Sequence, residues 1–232
     1  MRKKAVKPLA DKNVFINCPF DIEYIPILQS ISFALLFLGY IPRCSLEASE
    51  PGEYVRLNQI IKIISECRFG IHDISRVEHG GTTEAPLPRF NMPFECGLFF
   101  GAMRFGNGRH KSKDFLILDS QQHRFRATLS DLAGTDAACH AGNHLTAIGC
   151  LRDFFKKVDN GGTGSGINGG SFPGASTISE TYIKFRNGLP VELAKKGVTE
   201  EELTTKLSYW PDFVEIANLY LSSASAFPTT QA

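Results

Sequence analysis

One glutamate stands in a setting where a carboxylate can do chemistry. Glu95 lies in residues 91–97 (NMPFECG), among neighbours that are mostly apolar, with Gly97 and Gly101 following it. Pro93 predicts the start of a helix, which places Glu95 in the first turn. Apolar surroundings desolvate a carboxylate, while a helix N-terminus partly stabilises its charge. Glu95 is therefore a candidate nucleophile or hydroxyl-binding group. The alternative is a helix-dipole contact worth about 0.3–1 kcal/mol.

A second acid ends a predicted strand. Residues 69–75 (FGIHDIS) are largely apolar, and Asp73 and Ser75 are two positions apart, so they face the same side. A carboxylate at this place can accept hydrogen bonds from a ribose hydroxyl or from a base. An Asx turn leaving the strand explains the same residues equally well. His72 faces the opposite side, which is typical of a packed core histidine.

Further candidate contacts follow the other predicted strands. The loop after the first strand commonly meets the ligand in an open parallel sheet. Guanidinium groups bind phosphate through two parallel hydrogen bonds, so arginines at strand ends favour a phosphorylated ligand. The candidate binding residues are Asn17, Cys18, Pro19, Phe20, Asp21, Arg43, Ser75, Arg76, Arg89 and Asn91. Arg56 is also basic, but it falls within a predicted helix and could equally be a solvent-exposed residue.

Metal and thiol chemistry have weaker support. His140 and His144 have the spacing of a helical metal pair, but Gly142 lies between them and no acidic residue is adjacent. The chain has 6 cysteines, and none forms a C-x-x-C pair. We therefore expect free thiols, no metal and no resident cofactor.

The order of apolar segments predicts the fold that positions these residues. Apolar runs favour strands at 14–18, 40–46, 69–75 and 114–119, and helices at 24–38, 52–67, 94–105 and 147–158. Alternating strands and helices with short connections indicate an α/β protein with a parallel sheet covered on both faces. The polar residues named above cluster at the carboxyl ends of its strands.

The chain divides into four predicted regions. Residues 1–12 are expected to form a flexible arm and residues 13–158 an α/β nucleotide-binding or catalytic domain. Residues 159–177 are glycine-rich and lack the Lys-Ser/Thr ending of a phosphate loop, so we expect a linker. Residues 178–232 are expected to form a helical appendage, packed on the core or on a second copy.

Composition limits the possible partners. The formal net charge is +1, which argues against a protein that wraps nucleic acid and leaves room for a local basic pocket. The basic N-terminal segment lacks the apolar stretch of a signal peptide, and the longest apolar run is too short for a bilayer. We therefore expect a cytoplasmic protein with no membrane or direct nucleic-acid contact. The 18 Phe residues suggest a thick core and a self-associating surface, hence a homo-oligomer.

The ordered segments resemble a known superfamily. The first-strand loop, Asp-x-Ser at the end of a strand, Asn-x-x-x-Glu-x-Gly opening a helix and a following apolar strand resemble the nucleoside 2-deoxyribosyltransferase-like and TIR-like domains. The resemblance covers about residues 13–120, and the matched positions are Asp73, Ser75, Asn91, Glu95, Gly97 and Gly101.

The resemblance implies a flavodoxin-like fold and an activity. In that superfamily the matched glutamate acts on an N-glycosidic bond, so Glu95 would attack the sugar and Asp73 would orient the ribose or the leaving base. The substrate would be a nucleotide, a nucleoside or NAD, and a role in bacterial antiviral defence would follow. The first-strand loop lacks the transferases' glycine-rich start, residues 77–90 lengthen the next loop, and the chain after 120 has no counterpart.

Two other classes of function fit the same residues. The cleft could sense a nucleotide without cleaving it and change the assembly of the protein. Alternatively, the chain could be an interaction domain in which Glu95 only caps its helix. Loss of such a cap would cost about 1 kcal/mol of stability and no activity.

Overall fold

The computed structural model describes residues 10–47, 56–77, 80–81, 86–127, 129–132, 134–135, 137–161 and 172–224. The strands are β1 (Ala10–Asn17), β2 (Ile41–Arg43), β3 (Cys67–Asp73), β4 (Gly80–Gly81), β5 (Pro86–Leu87), β6 (Asp114–Asp119) and β7 (Ala137–Cys139). The α-helices are α1 (Ile25–Phe37), α2 (Arg56–Glu66), α3 (Asn91–Phe105), α4 (His144–Gly161), α5 (Ala175–Lys196), α6 (Glu200–Thr205) and α7 (Trp210–Ala224).

Five strands form one parallel sheet in the order β2-β1-β3-β6-β7. This is the flavodoxin-like strand order, and the predicted α/β fold class is confirmed. The strands β4 and β5 form a separate antiparallel pair within the insertion between β3 and α3. Sequence reasoning missed β7, because its three residues form no extended apolar run.

The alternating side chains of β1 build both halves of the core. Val14 and Ile16 pack with α1 and α4 on one face of the sheet. Phe15 packs on the other face with Ile60 of α2 and Phe99 of α3. Because successive strand side chains point to opposite faces, helices cover the sheet on both sides.

The C-terminal helices are continuous with the main core. The ring centroid of Phe33 in α1 lies 5.2 Å from that of Tyr182 and 5.1 Å from that of Phe185 in α5. Trp210 Nε1 donates to Ser32 Oγ at 2.9 Å. The predicted appendage therefore packs on the α/β core, and α1 is apolar on nearly all sides because helices surround it.

Two predicted boundaries are wrong. Strand β1 begins at Ala10, which pairs with Cys67, so residues 10–12 of the predicted arm belong to the sheet. Helix α4 continues to Gly161, into the region predicted as a linker. The remaining predicted arm (1–9) and the central part of the predicted linker (162–171) lie outside the described residues. No helix in the described part of the chain is long and apolar enough to cross a bilayer.

Candidate active site

The candidate residues meet at the carboxyl edge of the sheet. The loop after β1, the end of β2, the end of β3 and the start of α3 all reach this edge. Parallel strands end together, so side chains distant in sequence become neighbours there. The electrostatic coupling of Cys18 with Cys44, Asp73, Glu95 and Asp21 reflects this convergence.

Glu95 is buried without a bonding partner. Its side chain is 7% exposed, and its carboxylate forms no hydrogen bond or ion pair with the residues that the structure describes. Burial raises the pKa of Glu95 to about 7, and the positive charge of Arg56 opposes that rise. A carboxylate with this pKa can change protonation state near neutral pH, as acid–base or nucleophilic chemistry requires.

The start of α3 differs from the prediction. The helix begins at Asn91, with Phe94 N–H donating to the Phe90 carbonyl at 2.8 Å, so Pro93 is the third helical residue. Glu95 then lies beyond the first turn, where the helix dipole stabilises a carboxylate less. A capping role for Glu95 is therefore disfavoured, since its side chain forms no cap hydrogen bond.

Two thiols near Glu95 are not competing nucleophiles. Cys18 and Cys44 are both buried. Burial raises the pKa of Cys18 well above its usual value, and neighbouring negative charges raise it further. Burial also raises the pKa of Cys44. Both thiols therefore stay protonated at neutral pH, where Glu95 titrates.

Arg56 lies near enough to Glu95 for its charge to lower the pKa of that carboxyl. Its guanidinium lies 5.4 Å from the Phe20 ring centroid, and its Nη2 donates to Ser45 Oγ at 3.2 Å. The side chain is exposed, and among the described residues it has no ion pair with a carboxylate within 4.0 Å. The solvent-exposed interpretation of Arg56 is thus incomplete, since its charge also acts on Glu95.

The three predicted phosphate-binding arginines are already paired with acids. Arg43 binds Glu47 at 2.7 Å and Glu66 at 3.2 Å. Arg76 and Arg89 both bind Asp21, at 2.8 Å and 2.6 Å. These pairs tie the loops of the site together and leave little positive charge for a phosphate, so ligand binding by these arginines and Asp21 stays a prediction.

Asp73 is the centre of a buried hydrogen-bond network. Tyr24 Oη donates to Asp73 Oδ2 at 2.6 Å, and Ser75 N–H donates to Asp73 Oδ1 at 2.8 Å. His140 Nε2 lies 3.0 Å from Asp73 Oδ2, although its direction is poor for a hydrogen bond. Gly142 N–H donates to His140 Nδ1, so Nδ1 is an acceptor and Nε2 is the ring nitrogen directed toward Asp73.

This network changes the predicted role of Asp73. Asp73 is 0% exposed and Ser75 is 5% exposed, so the Asp73 carboxylate does not touch solvent in this structure. The Asx-turn interpretation is supported, because Ser75 N–H binds the carboxylate two residues earlier. Direct contact between Asp73 and a ribose would require this network to open.

Asn17 joins β1 to the helix that carries Glu95. Its Nδ2 donates to the Met92 carbonyl at 2.8 Å and lies 3.1 Å from His72 Nδ1. Asn17 is 2% exposed, so it positions α3 rather than contacting a ligand. Burial lowers the pKa of His72 to about 3, which keeps this core histidine neutral. Its predicted place in the core is confirmed.

The remaining candidates occupy different positions around the edge. Pro19 is buried, Phe20 is half-buried beneath Arg56, and Asn91 is exposed at the start of α3. Phe90 and Phe94 lie beside Asn91 and are 70% and 53% exposed. Sequence reasoning missed these two rings, together with Tyr24 and the contact of His140. Their clearest signal is two phenylalanines, four positions apart, flanking the predicted start of a helix.

Comparisons with known proteins do not assign a function, so a function has to be argued from the geometry of the site. No protein-family model, no curated protein and no solved structure matches this chain. Among the described residues, no group of three or more His, Cys, Asp and Glu side chains is arranged to hold a metal ion. The carboxylate of Glu95, buried and without a partner in the part of the chain that the structure describes, is therefore the chemical feature on which a function can be argued.

Proposed function

We propose that this protein cleaves the N-glycosidic bond of a nucleotide or nucleoside, with Glu95 as the nucleophile. The observation that carries the proposal is the carboxylate of Glu95, which lies buried at the carboxyl edge of the sheet and has no hydrogen-bond or ion-pair partner among the described residues. A carboxylate held only to stabilise the fold normally has a hydrogen-bond or ion-pair partner when buried. The resemblance of residues 13–120 to N-glycosidic-bond enzymes supports this reaction class.

The proposed reaction has two steps. The ionised Glu95 oxygen bonds to the anomeric carbon of the sugar while the bond from that carbon to the base nitrogen breaks. The base leaves with the bonding electron pair, either as a neutral molecule from a cationic base or after taking a proton from water. Water or a second base then bonds to the anomeric carbon, loses a proton and releases Glu95 as a carboxylate.

The surroundings of Glu95 fit a substrate with a flat base and an anionic group. Phe90 and Phe94 expose aromatic faces next to Asn91, and such faces stack on bases. Arg56 supplies a positive charge that no neighbouring carboxylate cancels within 4.0 Å in the described part of the chain. NAD has both features and belongs in the set of substrates to test.

The test is base release from a panel of candidate substrates. Purified protein is incubated with NAD, NADP, ATP, GTP and deoxynucleosides, and free base is measured by chromatography. We expect one substrate to release its base, and Glu95→Gln to abolish that release. Glu23→Gln is the matched control: its carboxylate lies at the same edge but is exposed and bound to Arg76. Equal release by the wild type and Glu95→Gln would refute the proposal.

The alternative to catalysis is a module that binds a nucleotide without cleaving it. Here a panel member would raise the melting temperature of the wild type while releasing no base over hours. If no panel member is cleaved or bound, the interaction-domain hypothesis is favoured instead.

A further inference from the structure

A large groove lies at the opposite end of the sheet from Glu95. It follows the first residues of β3, β6 and β7, the last turns of α3 and one side of α4 along most of its length, and its volume is about 1520 Å³. The crossover from β6 to β7 contains two short 3₁₀ turns, Arg124–Ala127 and Ser130–Leu132, and no α-helix among its described residues. At the amino ends of these strands the sheet is therefore less covered by helices here than beside α2 and α3.

The lining of the groove is strongly basic. The cations are Arg68, Arg104, Lys111, Lys113, Arg152, Lys156 and Lys157, and the acids are Asp114 and Asp153. The formal net charge of the whole chain is only +1. The groove is therefore positive, and the residues outside it carry a net negative charge. A one-sided distribution of this kind attracts anionic ligands over a distance.

Four of these cations can still contact a ligand, although one of the three N–H groups of Lys111 Nζ already donates to the Arg104 carbonyl at 2.9 Å. Arg152 is bound to Asp153 at 2.8 Å, and Lys113 Nζ is held by the carbonyls of Ile64 and Cys67. Within the described residues, no carboxylate lies within 4.0 Å of the side-chain nitrogens of four others: Arg68, Arg104, Lys111 and Lys156. They come from three parts of the fold, β3, the α3 end with its following turn, and α4, so the charge extends along the groove.

Aromatic rings lie among these cations. The Arg68 guanidinium is 4.8 Å from the Phe69 ring centroid, and the Arg104 guanidinium is 5.1 Å from that of Phe100. The Arg68 Nε is buried and has no hydrogen-bond partner within the described ranges of the chain. Arginines stacked on aromatic rings present flat surfaces to bases and hydrogen-bond donors to phosphates.

We propose that this groove binds single-stranded nucleic acid. Its volume exceeds the roughly 300–1,000 Å³ of ordinary small-molecule sites, which favours an extended ligand. The guanidinium planes of Arg68 and Arg104, backed by the buried Phe69 and the half-buried Phe100, can stack on bases while the lysines bind phosphates. The groove is separate from the Glu95 site, so this proposal stands independently of the glycosidic reaction.

The test is fluorescence anisotropy with a labelled oligothymidylate of about 20 nucleotides. We expect wild-type binding that weakens between about 50 and 200 mM salt, with a log–log slope near −3 if four phosphates are neutralised. The double variant Arg104→Gln, Lys156→Gln should bind at least about fivefold more weakly and reduce the slope by about 1.4. Both side chains are exposed, so the fold should persist, which circular dichroism checks.

The matched control removes the same charge elsewhere. Lys184 and Lys195 are exposed on α5, and the double variant Lys184→Gln, Lys195→Gln should bind like the wild type. Glu95→Gln should also leave oligonucleotide binding unchanged, whether or not the enzyme is active. Absence of binding at 50 mM salt would overturn the proposal, as would equal weakening in the control. Equal competition by polyglutamate would also overturn it and indicate an acidic-peptide groove.

Discussion

At the residue scale, Glu95 reconciles two opposed requirements. The proposed reaction needs an ionised carboxylate, whereas burial favours the protonated form and raises the pKa of Glu95 to about 7. The charge of Arg56 offsets part of this effect. Near neutral pH the carboxylate is thus partly ionised and poorly solvated, which strengthens it as a nucleophile.

Because Glu95 is buried, its effect on the free energy of unfolding depends on pH. The folded-state pKa lies above the unfolded value, so the unfolded state binds fewer protons between about pH 4.5 and 7 and stability falls across that window as pH rises. Glu95→Gln should therefore increase the free energy of unfolding at pH 8 by about 1–3 kcal/mol, and by much less at pH 4. Urea unfolding at both pH values measures this, and a destabilised variant at pH 8 would contradict it.

Arg56 should tune the titration of Glu95. Arg56→Gln removes the positive charge that lowers the carboxylate pKa, so the pKa of Glu95 should rise. The pH profile of base release should therefore move to higher pH by a few tenths of a unit to about one unit. Arg104→Gln is the matched control, because Arg104 also stacks on a phenylalanine but lies at the far end of α3. An unchanged profile in Arg56→Gln would show that the two charges do not interact.

Contacts between side chains that are distant in the sequence could not be predicted from it. Glu95 was identifiable because its apolar neighbours are adjacent in the chain. The pairing of Arg89 with Asp21 spans 68 positions, and His140, directly after β7, lies beside Asp73 at the end of β3. Nothing local marks those arginines as neutralised, so all of them were predicted to bind phosphate.

At the element scale, the connection between β1 and α3 determines where Glu95 lies. Asn17 holds the Met92 carbonyl three residues before the glutamate, and His72 supports Asn17 from β3. Four of the five strands of the parallel sheet and most helices were predictable from apolar periodicity. The start of α3 was not, because Pro93 suggested a first turn that tertiary packing places earlier.

Asn17→Ala should separate positioning from stability. The change leaves a buried carbonyl without its donor and should cost about 1–3 kcal/mol. It should also lower kcat for base release with little change in KM, because α3 shifts relative to the substrate. Asn13→Ala is the matched control: Asn13 is also in β1 and donates to the Glu66 carbonyl at 3.1 Å, away from α3. Equal loss of kcat in both variants would rule out a positioning role for Asn17.

At the scale of the whole molecule, the C-terminal helices complete the core around α1. Phe33, Tyr182, Phe185 and Phe213 belong to the same apolar cluster as the sheet residues Val14 and Ile16. Sequence patterns predicted these helices but not their partner, because an all-round apolar helix such as α1 does not reveal what covers it.

A shared core predicts one unfolding transition. Trp210 is the only tryptophan of the 232 residues, so its fluorescence reports on the C-terminal helices while far-ultraviolet circular dichroism reports on the whole chain. The two urea transitions should coincide. Phe185→Ala should lower the free energy of unfolding obtained from each of them by about 3–5 kcal/mol. Leu219→Ala, at a side chain 58% exposed, should shift neither. Separate transitions would show that these helices fold as an independent unit.

The central claim is that Glu95 forms a bond with the sugar, and trapping that bond tests it most directly. The wild type and Glu95→Gln are mixed with the substrate that releases base, quenched by acid at short times, digested and mapped by mass spectrometry. The proposal predicts a sugar adduct on the wild-type peptide that contains Glu95, forming with base release and absent from Glu95→Gln. Continued base release with no adduct on Glu95 at any time, or with an adduct on another residue, would contradict it.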